Sequence, residues 1–210
     1  RVKAVYDRRD SLGLNTEQAR LLEDTYKSFA RNGAALSEED KQTYRELTEK
    51  LSELSLKFNQ NSLAATNAFT LHITDSSKVA ELPAYVREGM AAEAKERDME
   101  GWVVTLQAPS MIPFMTFSSD RELKEKLWRA YNSRSLGGEF DNAAIVKEIA
   151  DNRLKLANLL GYATYADYVL EERMAENAPA VNGFLAELLD RAVDAAQADV
   201  KSIAEYAKTQ

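Results

Sequence analysis

Between Ser37 and Asn67 the apolar residues Tyr44, Leu47, Leu51, Leu54 and Phe58 recur at alternating spacings of three and four. An α-helix, with 3.6 residues per turn, brings such positions onto one face. Ser37, followed three residues later by Asp40, resembles a capping box at its start. The pattern predicts one helix of about 28 residues, ending around Asn67. So long a stripe is stable only when other elements cover it, because most helical stability in proteins comes from packing an apolar face.

The covering elements are themselves helical in period. "TEQARLLEDTYKSFARNG" puts Leu21, Leu22, Tyr26 and Phe29 on one side, with Gly33 at the place of a left-handed C-terminal cap. From Pro109 the chain is helical again, and Ser119 with Glu122 resembles a second capping box before "RELKEKLWRAYNSR", where Leu123, Leu127, Ala130 and Tyr131 form the inward stripe. "LGGEFDN" breaks that helix. Asp141 or Asn142 opens the next, which carries Ile145, Ile149, Leu156 and Leu160 and ends at Gly161. Thr164 and Asp167 then start another, so "GYATYAD" reads as a tight corner filled by Tyr162, Tyr165 and Tyr168. A last helix runs from about Pro179 to the end, with Val181, Leu185, Leu188, Ala192, Ala195, Ile203 and Tyr206 near a common face.

Two short runs change period. In "AFTLHIT", Phe69, Leu71 and Ile73 alternate with Thr70, His72 and Thr74, and in "GWVVTLQ" the inward set is Trp102, Val104 and Leu106. Between them lies a helical stretch, "LPAYVREGMAAEAKE", whose Pro83 suits a first turn. The expected fold is a mainly α multi-helix lobe with a minor two-stranded β element. No self-similarity at a period of about 34 residues suggests a helical solenoid.

A hydrophobic fraction of 45% over 210 residues is enough for a substantial core, and no run of proline, glycine or serine marks a linker, so residues 1–210 are read as a single helical segment. Net charge is −7, with basic and acidic residues interleaved rather than gathered into a patch, which argues against nucleic acid as a partner. The chain has no cysteine, hence neither a disulfide framework nor a thiolate metal site. No apolar run approaches the eighteen or so residues of a membrane span, so no membrane partner is expected. The chain starts at Arg1, and the helical pattern reaches "SIAEYAKTQ" without a glycine or proline to stop it; it reads as a piece of a longer chain. The expected compartment is the cytoplasm, or the periplasm if the parent carries a leader.

No residue pattern in the sequence marks a catalytic site. A zinc hydrolase usually needs two histidines one helical turn apart, and this chain has one histidine. His72 reads as an exposed or hydrogen-bonded strand residue. A serine or threonine nucleophile would have to take His72 as its base, and no Gly-x-Ser-x-Gly elbow supports it; Gly137–Gly138 lacks the Lys-Ser/Thr ending of a phosphate loop and reads as a turn. Glu171 with Glu172, and Glu38, Glu39 and Asp40, read as solvated surface and first-turn acids. Arg153 lies between Ile149 and Leu156 on an apolar stripe, where a charge needs a partner or must snorkel. Trp128, Tyr131, Tyr162, Tyr165 and Tyr168 read as core aromatics with satisfied hydroxyls, the lining of a peptide-binding cleft being the other reading. No catalytic, cofactor-binding or metal residue is assigned.

The stretches "GWVVTLQAPSMIPFMTFSSD", "DRELKEKLWRAYNSR" and "EFDNAAIVKEIADNRLKLANLLGYATYADYVLEERMAENAPAVNGFL", with "LNTEQARLLEDTYKSFARNGAALSEEDK" before them, together resemble the thimet oligopeptidase family of zinc metallopeptidases, and most closely its bacterial peptidyl-dipeptidase branch. The resemblance implies a neurolysin-like zincin fold: a longer, mostly helical chain whose two lobes flank a deep channel for short peptides. It also implies one zinc, held downstream by His-Glu-x-x-His and a later glutamate, with hydrolysis by zinc-bound water. None of those ligands matches a residue here. The segment is therefore expected to be a non-catalytic, N-terminal helical part, inactive alone and without zinc, whose partner is the catalytic lobe. The other reading is a freestanding helical scaffold or adaptor without peptidase activity.

Overall fold

A computed structural model describes residues 1–209 as a mainly α protein with one two-stranded antiparallel sheet. The residues fall into two compact units: 1–48 together with those from 152 onward, and 49–151. Helices α3 and α7 contribute residues to both.

In the first unit, α1 (Val2–Tyr6) lies against α2 (Thr16–Arg31) through stacked rings of Tyr6 and Tyr26, centroids 3.9 Å apart. At five residues, α1 is too short for a helical period to mark it in the sequence. Asn15 starts α2 in a capping box with Gln18, and the chain then turns through Gly33 at φ +83°. The Ser37 box is as expected: the Asp40 N–H donates to Ser37 Oγ at 3.1 Å, opening α3 (Glu38–Ala68).

In the second unit, β1 (Leu71–Ile73) pairs antiparallel with β2 (Trp102–Val104), Leu71 opposite Val104 and Ile73 opposite Trp102. In β1, Leu71 and Ile73 are buried and His72 is exposed, as alternation requires. In β2, Val103 and Val104 are both fully buried, so the period-two reading fails where both faces are covered. Gly101, at φ +89°, turns the chain into β2, and a Cβ there would lie 2.5 Å from the Ile73 carbonyl oxygen. Only glycine fits so close a backbone approach.

Between the strands, α4 (Ala84–Glu96) has Pro83 as its N-cap rather than inside its first turn. After β2 come α5 (Ala108–Phe117), with Pro109 in its first turn, and α6 (Arg121–Asn132). The expected Ser119–Glu122 box is not formed. Ser119 donates its N–H and hydroxyl to Glu81, at 2.5 and 2.8 Å, while Asp120 caps α6 by accepting the Leu123 N–H at 3.0 Å. A carboxylate suits a helix start better than a hydroxyl, and Lys78, 2.9 Å away, neutralises it. Leu123 and Leu127 face the core with Phe114, Met90, Val86 and Val104, and Ala130 and Tyr131 pack against it.

Asp141 and Asn142 share the opening of α7 (Ala143–Leu159): the Asp141 carboxylate accepts the Ala143 and Gly137 N–H groups, while buried Asn142 donates to the Phe58 carbonyl and Ser62 Oγ. At the end of α7, Gly161 takes φ +89° and the Tyr162 N–H reaches back to the Ala157 carbonyl at 2.9 Å, a Schellman closure. Thr164 and Asp167 form the capping box that starts α8 (Tyr165–Leu170). Asn177, accepting the Ala180 N–H, starts α9 (Ala178–Ala207).

The expected inward face of α9 is not covered. Leu185, Leu188, Ile203 and Tyr206 are exposed, as are Leu21 and Phe29 of α2. No described helix is long and apolar enough to cross a membrane.

Candidate functional site

The buried polar set among the described residues contains one charge, Arg31, at 9% exposure in the last turn of α2. Its guanidinium is surrounded by the corner that follows α7. Nη1 donates to the Tyr162 hydroxyl at 3.0 Å and to the Glu171 carboxylate, Nη2 donates to the Tyr168 carbonyl at 2.5 Å, and Nε lies 3.4 Å from Glu172. The Tyr168 ring lies under the cation at 4.4 Å and that of Tyr162 at 5.6 Å, both within cation–π range. Tyr162 donates its hydroxyl proton to Glu171, and Lys27 Nζ approaches the same carboxylate at 3.4 Å.

These contacts settle the protonation states. The Tyr162 hydrogen bond, assisted by Lys27 and Arg31 against the cost of burial, lowers the Glu171 pKa below its ordinary value. Burial and the hydrogen bond to Glu171 raise that of Tyr162. At neutral pH the group is therefore a cation, a carboxylate and a neutral phenol, each already partnered. Such an arrangement holds chain segments together and leaves no base free to accept a proton from a substrate.

Glu171 and Glu172, read as solvated surface, thus turn toward Arg31. The sequence contains little trace of this, since Arg31 and Glu171 are 140 residues apart. Arg153, expected to need a partner, sits over the Tyr165 ring at 5.2 Å. Of the five aromatics grouped by sequence, Tyr162 and Tyr165 each pack against Tyr168 in the first unit. Trp128 and Tyr131 belong to the second, where Trp128 is exposed. Gly137 and Gly138, both at positive φ, form the turn before α7. Glu38, Glu39 and Asp40 occupy the first turn of α3. His72 donates from Nε2 to the Glu100 carbonyl oxygen at 2.6 Å, since a carbonyl oxygen only accepts.

The donor set does not fit a zinc ion. Among the described residues no three histidine, cysteine, aspartate or glutamate side chains converge as a metal site requires.

The fold and its polar centre define a mainly helical protein whose buried arginine ties the end of α2 to the corner after α7. Residues 114–210 match the model of peptidase family M3. Over 99% of its length the chain is 33% identical to oligopeptidase A of Escherichia coli, covering 32% of that protein. It is 33% identical over 99% of its length to a probable cytosolic oligopeptidase A of Arabidopsis thaliana, covering 30%. To the dipeptidyl carboxypeptidase of Escherichia coli it is 31% identical over 97% of its length, again covering 30%. The chain is a homologue of the family M3 peptidases. It spans about a third of the length of the curated relatives it matches, and near-equal identities to the two named activities separate no branch.

Proposed function

We propose that this chain is the non-catalytic helical part of a zinc-dependent oligopeptidase or peptidyl-dipeptidase, and that it walls the channel through which short peptides reach the catalytic lobe. The observation that carries this reading is the coverage: nearly all of this chain aligns with relatives whose own chains are about three times as long. The uncovered apolar face of α9 supports it, since contiguous exposed apolar surface marks a place where another element docks. Residues 1–210 then act as one segment by excluding folded substrates sterically, while zinc and its ligands are supplied by the rest of the parent. The proposed compartment is the cytoplasm.

The test is the parent reading frame followed by its product. A frame that continues past Gln210 into His-Glu-x-x-His, and a product that binds zinc stoichiometrically and hydrolyses short peptides, is the expected result. The isolated 210-residue chain is expected to do neither. A stop codon soon after Gln210 favours the scaffold reading instead, and zinc-dependent hydrolysis by the isolated chain overturns the non-catalytic assignment.

A further inference from the structure

The second unit contains a polar cleft of about 660 Å³ where α3, the start of α5 and the end of α6 meet. Its lining includes one cation, Arg134, and no acidic side chain. Arg134 is held rigidly. Its guanidinium stacks 3.8 Å over the Tyr131 ring, Nε donates to the Tyr131 carbonyl at 2.9 Å, and Nη1 donates to Thr66 Oγ1 at 3.1 Å. Among the described residues no carboxylate pairs with it, and Nη2 makes no hydrogen bond. In a chain of net charge −7 this is an arginine with an open edge, fixed at the wall of a cavity.

Two amides stand beside it. Gln107 commits one N–H to Asn67 at 2.7 Å and Asn132 commits one to the Trp128 carbonyl at 2.8 Å, so each retains a second N–H and a carbonyl oxygen. Ser62 adds a hydroxyl, and Leu63 and Leu106 add apolar surface. We propose that this cleft binds the terminal carboxylate of a short peptide, with the open edge of Arg134 on the carboxylate and Gln107 and Asn132 on the adjacent peptide group. A guanidinium edge matches the two oxygens of a carboxylate. A single cation suits a monoanion, whereas phosphate would ordinarily call for more charge. The peptide nature of the ligand rests on the channel-wall reading above; the recognition of a carboxylate rests on the cleft alone.

The experiment is calorimetric titration of the 210-residue chain with an N-acetylated dipeptide, once as the free acid and once as the C-terminal amide. The free acid is expected to bind saturably and the amide at least about tenfold more weakly, the difference made by a charge-assisted bidentate pair. Arg134→Met is expected to weaken the free acid by the same factor, with backbone resonances of Thr66 and Asn132 no longer shifted by ligand. Equal binding of acid and amide, or no saturable binding of either, overturns the proposal on the unaltered protein and so does not depend on whether the variant folds. Binding that survives Arg134→Met overturns it as well. These failures are separate from failure of the channel-wall reading, which the parent reading frame and its hydrolytic activity decide.

Discussion

The two units solve the same problem in different ways. Of the buried hydrophobic residues described, all but Leu156 and Ala157 belong to the second unit, where a short ribbon and the helices around it enclose a dry core. The first unit has caps, stacked tyrosines and one paired arginine instead, and it leaves Phe184, Leu188 and Ile203 in solvent. Burial of apolar surface is the largest favourable contribution to folding, whereas an ion pair or a cap contributes about 1 kcal/mol. The second unit therefore has the means to be stable by itself, and the first is built to gain stability when its open face is covered.

The sharpest way to break this contrast is to cut the same side chain in both units. Leu127 is fully buried, and Leu127→Ala is expected to destabilise by about 3 kcal/mol through lost burial and the cavity left behind. Leu188 is exposed, and Leu188→Ala is expected to change stability by no more than about 0.5 kcal/mol. Urea unfolding of the two variants measures both, and equal losses would show that the face of α9 is already buried in solution.

The next largest effect tests the backbone approach beneath the ribbon. Gly101→Ala places a Cβ 2.5 Å from the Ile73 carbonyl oxygen at a positive φ, and neither atom belongs to a flexible side chain. A loss of about 2 kcal/mol, from left-handed strain and overpacking together, is expected. Loss of protection of the Val103 and Val104 amides in hydrogen exchange locates the damage at β2.

Arg31 tests the first unit's polar device. Arg31→Met keeps the apolar stem but removes every hydrogen bond to Tyr162, Tyr168 and Glu171. The loss is expected to be about 1.5 kcal/mol, less than for a fully buried pair because Glu171 remains partly solvated. Hydrogen exchange should accelerate across 161–172 and not in β1 or β2. The acid limb offers a second readout. The folded-state pKa of Glu171 is lowered, so its contribution is present above its unfolded pKa of about 4.3 and disappears as pH falls through the folded value. Glu171→Gln should therefore cost stability at pH 7 and little at pH 2.5, and a constant cost across that range would remove the charge from the explanation.

How much of this was legible depends on the distance over which each feature is determined. The Thr164–Asp167 box, the left-handed Gly161 and the stripe on α3 are local consequences of residue type and period, and the sequence alone locates them. The Ser119 box failed because Glu81, 38 residues away, captures that serine. The Arg31 group was invisible for the same reason at greater range, since nothing in "SFARNG" indicates which tyrosines and carboxylates will surround it. Arg134 was missed because its significance lies in what is absent around it. The exposed face of α9 carries the clearest lesson: periodicity reveals that a helix has an apolar side but not whether this chain provides the cover.

A smaller loss than at Gly101 is expected at Gly161, and its size follows from the contrast between the two glycines. Both residues have φ +89°, so both favour glycine equally on conformational grounds. At Gly161, however, an added Cβ meets no atom within 4 Å, leaving strain as the only cost. Gly161→Ala is expected to destabilise by about 1 kcal/mol, with Gly161→Val somewhat worse because its branched Cβ is poorly suited to the left-handed region. Thermal melting of Gly161→Ala beside Gly101→Ala isolates the steric part, since conformational strain is common to both. If the two variants lose the same stability, the strand approach at Gly101 relaxes without cost; if Gly161→Ala melts with the parent, the corner after α7 does not require its left-handed closure.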